Sequence, residues 1–458
     1  MLALLSLPPC LVAFSHLNTA VGLAYALVIT ALAAAALAGR HIPAPRALQT
    51  NEGVVIVGLA FVLTAALMAI PFAAGGLPFE DALFEAVSAI TTTGLSTLDT
   101  VELRAPAFLF ARAWLQWCGG LGIAALSVAL FIGHHAAARR LTSPMTDSNF
   151  ATMARTRARQ ILRVYVIMTL LGTLALSFVL GDVLTSLVNI LATVSTGGFS
   201  PYDASLQALP RPGQWIITGF SLLGAVPLLL YYRVLEGEPR SLTHDAEFRT
   251  LVALTLLASA VVSLSLWRHM ALDPAEAIRQ GIMLGTSAQT TTGFSSMDVG
   301  SLDTTSKLLL MLSMFIGGSS GSTAGGIKLL RFLIIFRLLQ HVLRRSAMPP
   351  HAIAQPRLSG KVLEGPDIER AILIAMLFAI TIGFSWLAFA VFGYAPIDAL
   401  FEVTSAVGTV GLSTGITSAE LEWPLKLVLC LDMLLGRLEV LALLVILYPA
   451  TWVGKRAE

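Results

Sequence analysis

Long apolar runs broken by short polar interruptions organise this chain. Apolar residues dominate 19–39, 52–73, 106–132, 161–180, 212–232, 247–267, 303–340, 366–392 and 421–452, and roughly 20 such residues at about 1.5 Å each cross the hydrocarbon of a bilayer. These runs predict membrane-spanning helices. The shorter run 1–15, with no Lys or Arg ahead of it, predicts a first membrane segment rather than a cleaved signal. Four further helical patterns are too short to span: one through Glu85 to Ile90, with Asp81 placed to cap it, then 182–194, 273–289 and 396–407. Each runs into a small polar segment. Aligned on one glycine, these are Thr91-Thr92-Thr93-Gly94-Leu95-Ser96, Ser195-Thr196-Gly197-Gly198-Phe199-Ser200, Thr290-Thr291-Thr292-Gly293-Phe294-Ser295 and Gly408-Thr409-Val410-Gly411-Leu412-Ser413.

The glycines stand 104, 95 and 118 residues apart (94 to 198, 198 to 293, 293 to 411). A unit of span, short helix, glycine segment and span has therefore been used four times. Ala82-Leu83-Phe84-Glu85-Ala86-Val87-Ser88-Ala89 matches Ala399-Leu400-Phe401-Glu402-Val403-Thr404-Ser405-Ala406, which supports duplication. The expected fold is all-α and polytopic: a leading transmembrane helix pair over 1–46, then four pseudo-symmetric helix, short-helix, helix repeats over 47–140, 141–240, 241–350 and 351–458, the third with a broken inner helix.

Composition agrees with the pattern. The 458 residues are 56% hydrophobic and 12% charged, against about 25% charged in an ordinary soluble domain. A net charge of +2 carries no nucleic-acid signature, and Cys10, Cys118 and Cys430 read as packing residues. No His, Cys and Asp/Glu cluster and no serine with a plausible base occurs, so an enzyme is not expected, nor a cofactor in this chain. The loops between units and the chain end hold 21 of the 29 Lys and Arg residues, which puts those loops and both termini on the cytoplasmic side and the glycine segments toward the outside.

Irregular backbone at membrane depth is tolerated only where it is buried in protein or faces water. Four such segments around one axis satisfy this by facing each other. A ring of carbonyls replaces the hydration shell of a bare monovalent cation, and short helices aim their negative ends at it. A second glycine-rich stretch, Gly317 to Lys328, interrupts the run 303–340 and predicts a pliable constriction below the ring; a phosphate loop is a poor fit, because Lys328 does not directly follow a glycine and the flanks are membrane-like. Arg437 lies deep in the last span. Two readings stay open for it, a positive charge under the ring or an ion pair with Glu439 or a neighbouring acid. Glu85 and Glu402 are expected to bond loop amides rather than the ion, and Asp432 has no assigned role.

These residues resemble the Trk/Ktr/HKT potassium-transport superfamily, specifically its TrkH-type membrane subunit. The resemblance is carried by Gly317-Gly318-Ser319-Ser320-Gly321-Ser322-Thr323-Ala324-Gly325-Gly326-Ile327-Lys328, by Leu435-Gly436-Arg437-Leu438-Glu439, by Gln116-Trp117-Cys118-Gly119-Gly120-Leu121-Gly122-Ile123, and by the four glycine segments. It implies gated potassium uptake, with Thr93, Gly94, Gly197, Gly198, Thr292, Gly293, Val410 and Gly411 as selectivity filter and the carbonyls of Thr93, Gly197, Thr292 and Val410 as potassium ligands. It implies a gate made of Gly317, Gly318, Ser319, Ser320, Gly321, Ser322, Thr323, Ala324, Gly325, Gly326, Lys328 and Arg437. It further implies a homodimer in the lipid of a bacterial inner membrane and a cytosolic TrkA-like regulatory subunit that binds a nucleotide. The alternative within the same fold is sodium- or proton-coupled potassium symport, or a sodium-permeable pathway.

Overall fold

A computed structural model describes residues 2–41, 50–139, 147–349, 355–440, 448 and 452. The expected repeat boundaries at 46, 140 and 350 lie outside the described residues, as does the remainder of the last expected span beyond Val440 apart from Tyr448 and Trp452. The chain opens with α1 (Leu2–Leu5), α2 (Leu7–Ser15) and α3 (Thr19–Gly39). The single segment expected over 1–15 is thus divided, because Pro8 and Pro9 occupy the first turn of α2, where proline starts a helix but does not continue one.

Four sets of helices follow. The first is α4 (Thr50–Ala74), α5 (Phe79–Ile90) and α6 (Pro106–Arg139); the second is α7 (Asp147–Leu180), α8 (Val183–Val194), α9 (Arg211–Gly224) and α10 (Leu228–Leu235). After the short α11 (Arg240–His244), the third is α12 (Ala246–His269), α13 (Pro274–Gln289), α14 (Thr304–Ile316) and α15 (Leu329–Arg345). A two-residue antiparallel hairpin, β1 (Arg357–Leu358) and β2 (Lys361–Val362), precedes the fourth: α16 (Gly365–Val391), α17 (Pro396–Val407) and α18 (Trp423–Arg437). Asp182, Asp245, Asp273 and Asp303 cap their helices by accepting first-turn amides. Among the described residues five helices are long and apolar enough to cross a membrane, six if the bent pair α9 and α10 counts as one span. This is an all-α, multi-pass membrane protein.

Packing is cyclic. The short helices α5, α8, α13 and α17 each lie between the outer and inner helices of their own set. Each also touches the inner helix of the preceding set, α18 on α5, α6 on α8, α9 on α13 and α14 on α17. The four short helices therefore stand around one axis, with the fourth set closing on the first.

Three expected spans are interrupted. The break at Gly317–Lys328 falls where its glycines and serines predict it. The run 212–232, read as one span, bends by 92° between α9 and α10. Pro227 has no backbone N–H and disfavours a helical residue before it, and the carbonyls released there are taken by the other break: Ser319 N donates to Ala225 O at 3.1 Å and Thr323 Oγ1 to Gly224 O at 3.0 Å. In return Leu228 N donates to Gly321 O at 3.1 Å. The run 421–452 also stops being helical at Arg437, and Glu439 and Val440 take positive φ angles of 60° and 45°.

Candidate ion pathway

Each short helix ends one turn before its glycine, and the chain then repeats one conformation four times. Thr92, Thr196, Thr291 and Thr409 are left-handed, with φ of 55°, 51°, 55° and 49°, and the glycines two residues on have φ of 92°, 76°, 83° and 93°. A left-handed threonine is costly unless its surroundings over-determine it. Here the next amide is anchored to the helix just ended: Thr93 N to Ser88 O at 2.9 Å, Gly197 N to Ala192 O at 2.8 Å, Thr292 N to Ser287 O at 2.9 Å and Val410 N to Ser405 O at 2.9 Å. The glycine amides of sets one and four also point outward, Gly94 N to Ser88 Oγ at 3.1 Å and Gly411 N to Ser405 Oγ at 3.0 Å. In a trans peptide the carbonyls of Thr93 and Val410 then face the other way, toward the axis.

The segments meet at their glycines. A Cβ added to Gly94 would overlap the carbonyl oxygen of Gly197, one on Gly198 that of Thr292, one on Gly293 that of Val410, and one on Gly411 that of Thr93. The contacts run in chain order and close a ring. All four glycines are half-buried while the threonine and the residue that precede each are buried, so the ring opens at glycine level. The ends of α5, α8, α13 and α17 bring partial negative charge beneath it, each roughly half an elementary charge.

Glu85 and Glu402 sit behind the ring, as expected, but are held differently. Glu402 accepts from Ser413 Oγ at 2.7 Å, Thr414 N at 3.0 Å, Thr417 N at 3.2 Å and the Thr417 hydroxyl. Glu85 accepts from Ser96 Oγ at 2.6 Å and Thr97 N at 3.0 Å and forms a 2.8 Å ion pair with Arg112. The Arg112 guanidinium also lies 3.8 Å from the centre of the Phe199 ring, in the second segment. Sequence reading missed Arg112; its signal was a lone arginine in an apolar run.

Asp81 does not cap its helix, which is a correction. Pro78 is the N-cap of α5, and Asp81, in the first turn, takes Lys426 Nζ at 2.7 Å. Lys307 repeats the arrangement on Asp398 at 2.7 Å. Each lysine also donates to a carbonyl seven residues upstream, Ala419 and Gly300. These two pairs tie set four to set one and set three to set four. Asp81 is 9% exposed and Asp398 33%. Lys426→Met is therefore expected to cost about 1–3 kcal/mol, the penalty of an unsatisfied buried group, and Lys307→Met at most about 1 kcal/mol; equilibrium unfolding in detergent compares the two.

The Gly317–Lys328 loop lies directly under the ring. Thr323 Oγ1 donates to Val194 O, the end of α8, at 3.0 Å and accepts from Thr196 Oγ1 at 3.3 Å, while Gly325 N donates to Thr291 Oγ1 at 2.6 Å and Gly326 N to Gly408 O at 3.0 Å, which fastens the loop to segments two, three and four. Gln289 Nε2 reaches Gly317 O at 2.7 Å, and Ser320 N donates to Glu247 Oε2 at 2.6 Å. Arg437 Nη1 donates to Thr323 O at 2.8 Å, while the carboxylate of Glu439 is taken by Arg331. Arg437 is thus bonded to the Gly317–Lys328 loop and not to Glu439, which pairs with Arg331. Lys328 is 5% exposed and lies inside the protein. Asp432 is buried in α18 and accepts from Ser385 Oγ at 2.7 Å.

A family model described as TrkH, cation transport protein, matches residues 18–451. The chain is 31% identical over 421 residues to the Trk system potassium uptake protein TrkH of Salmonella typhimurium, covering 88% of this chain and 86% of that protein. It is 31% identical over 449 residues to the Trk system potassium uptake protein TrkI of Halomonas elongata, covering 94% and 90%. The crystal structure of the potassium transporter TrkH from Vibrio parahaemolyticus matches with a TM-score of 0.87 at 26% identity, covering 99% of this chain and 97% of that one. These neighbours are ion transporters, not enzymes, and with the family match running from residue 18 to 451 this chain belongs to the TrkH family of cation transport proteins.

Proposed function

We propose that this protein is a gated potassium-uptake pathway in a bacterial cytoplasmic membrane. The observation that carries the reading is the closed ring of Gly94, Gly198, Gly293 and Gly411, each against a carbonyl oxygen of the next segment. The carbonyls of Thr93, Gly197, Thr292 and Val410 are the proposed ion ligands, supplying oxygens in place of hydration water. The loop from Gly317 to Lys328, held by Arg437, is the proposed gate. Its position under three of the four segments supports that role, and the names of the relatives support potassium as the ion. In this reading both termini are cytoplasmic, and the protein works as a homodimer with a cytosolic nucleotide-binding subunit.

The test is cation uptake into proteoliposomes of the native chain and of Gly94→Ser. Native protein is expected to pass potassium and rubidium well above sodium and lithium. In the variant, Cβ meets the Gly197 carbonyl and φ is 92°, so the preference should erode. Equal passage of all four ions in both proteins would remove the filter assignment.

A further inference from the structure

The ring has four sides but not four identical ones. In the residue before the ring glycine the chain carries Thr93, Gly197, Thr292 and Val410, and the odd member has a neighbour that explains it. Gln116, fully buried on α6 of the first set, reaches across to the second segment. Its Oε1 accepts from Phe199 N at 3.2 Å. That amide only donates, so the orientation of the Gln116 side chain is set, and Nε2 donates to Gly197 O. A Cβ at Gly197 would overlap the Gln116 amide, whose atoms are its three nearest neighbours. Any side chain at 197 would thus displace the donor from the carbonyl.

The arrangement is confined to one side. Gly119, Gly224 and Gly436 pack alike against Ile90 O, Val194 O and Val407 O, so Gln116 corresponds to Ser221 in the second set and Met433 in the fourth; methionine has no donor, and Ser221 Oγ donates within its own helix to Ile217 O at 2.9 Å. Among the described residues no side-chain donor is found on the carbonyls of Thr93, Thr292 or Val410. One turn before Gln116, Arg112 lies over the ring of the same Phe199 whose amide Gln116 holds. Two residues of α6 therefore clamp the second segment to the first set.

We infer that Gln116 is a positioning residue for ion selectivity: it draws on the Gly197 carbonyl and limits how far that oxygen leans toward a passing ion. This rests on the filter reading above. A small cation needs the surrounding oxygens to close in, whereas a larger one is satisfied at the longer distance, so an oxygen restrained by an amide disfavours the smaller ion. Arg112 and Gln116 act on the second segment from behind, through Phe199 and Gly197, and neither is proposed to touch the ion.

Gln116→Met keeps the length of the side chain and removes the donor. The potassium-to-sodium flux ratio in proteoliposomes is expected to fall about fivefold, the factor that one neutral hydrogen bond is typically worth, through faster sodium entry. If all ions slow together at an unchanged ratio, Gln116 is only a packing residue and the inference is overturned. Gly94→Ser runs alongside as the filter control: if it erodes the ratio and Gln116→Met does not, the filter stands and this inference falls; if Gly94→Ser changes nothing, both fall. Should Gln116→Met fail to fold, the pair Gln116→Ser with Gly197→Ala decides, since the smaller serine leaves room for the new methyl. That double variant is expected to conduct with a lowered ratio, and a native ratio in it would overturn the inference.

Discussion

Arg112→Met is expected to cost about 3–5 kcal/mol, the usual penalty for removing one partner of a buried ion pair, and to leave little folded protein. Arg112 is 2% exposed and Glu85 is fully buried, so the substitution strands a carboxylate with only Ser96 Oγ and Thr97 N for company. It also removes the cation over Phe199. The effect should shrink when Glu85→Gln is added, because the stranded charge is then gone, and a double-mutant cycle on unfolding free energy measures this. An Arg112→Met protein as stable as the native one would show that the ion pair does not hold the first two segments together. The fourth set serves as an internal comparison. Glu402 has no arginine among the described residues, the residue corresponding to Arg112 being Leu429, and it is held by hydroxyls and amides of Ser413, Thr414 and Thr417 instead.

The second large effect concerns the loop. Arg437→Ala removes a charge-assisted hydrogen bond to Thr323 O, 2.8 Å long and buried. Bonds of this kind are typically worth about 1.5–3 kcal/mol, or roughly a 10- to 100-fold shift between closed and open populations. Potassium flux through the isolated membrane protein should rise by that order, while the potassium-to-sodium ratio stays near native because the glycine ring is untouched. Thr323→Val should act in the same direction, since its single hydroxyl proton is shared between the carbonyls of Val194 and Gly224. Unchanged flux in both variants, with the proteins folded, would exclude the loop as the gate.

Much of this was legible in the sequence because its signals are local. Four glycines in register with four short helices give the ring segments, and the glycines and serines of 317–326 give one break. The bend at Ala225–Pro227 was not legible, since a proline inside an apolar run is compatible with a continuous kinked helix. What opens it fully is a set of donors from Ser319 and Thr323, about a hundred residues away. The stop at Arg437 was hidden for a similar reason: the apolar pattern runs on beyond it. Asp81 was misread as a cap because an acid in a first turn suits a helix start on its own account, and Lys426, which claims it, lies at the far end of the chain. Gln116 stood out only as part of a motif. Nothing in its own neighbourhood points to Gly197, and the clue was instead the missing side chain at 197.

All four sides of the ring belong to one polypeptide, and this governs how such a pore can change. Where four identical subunits surround an axis, every substitution arrives in quadruplicate, and most alterations at the ring are then too drastic to survive. Here a change arrives once. One side has taken on an amide donor, another a valine where two others have threonine, and a single unit supplies the loop beneath. On the proposed function, selectivity and opening can therefore drift in quarter steps, each screened against three unaltered neighbours, and the outcome is a lopsided ring whose sides have been free to specialise.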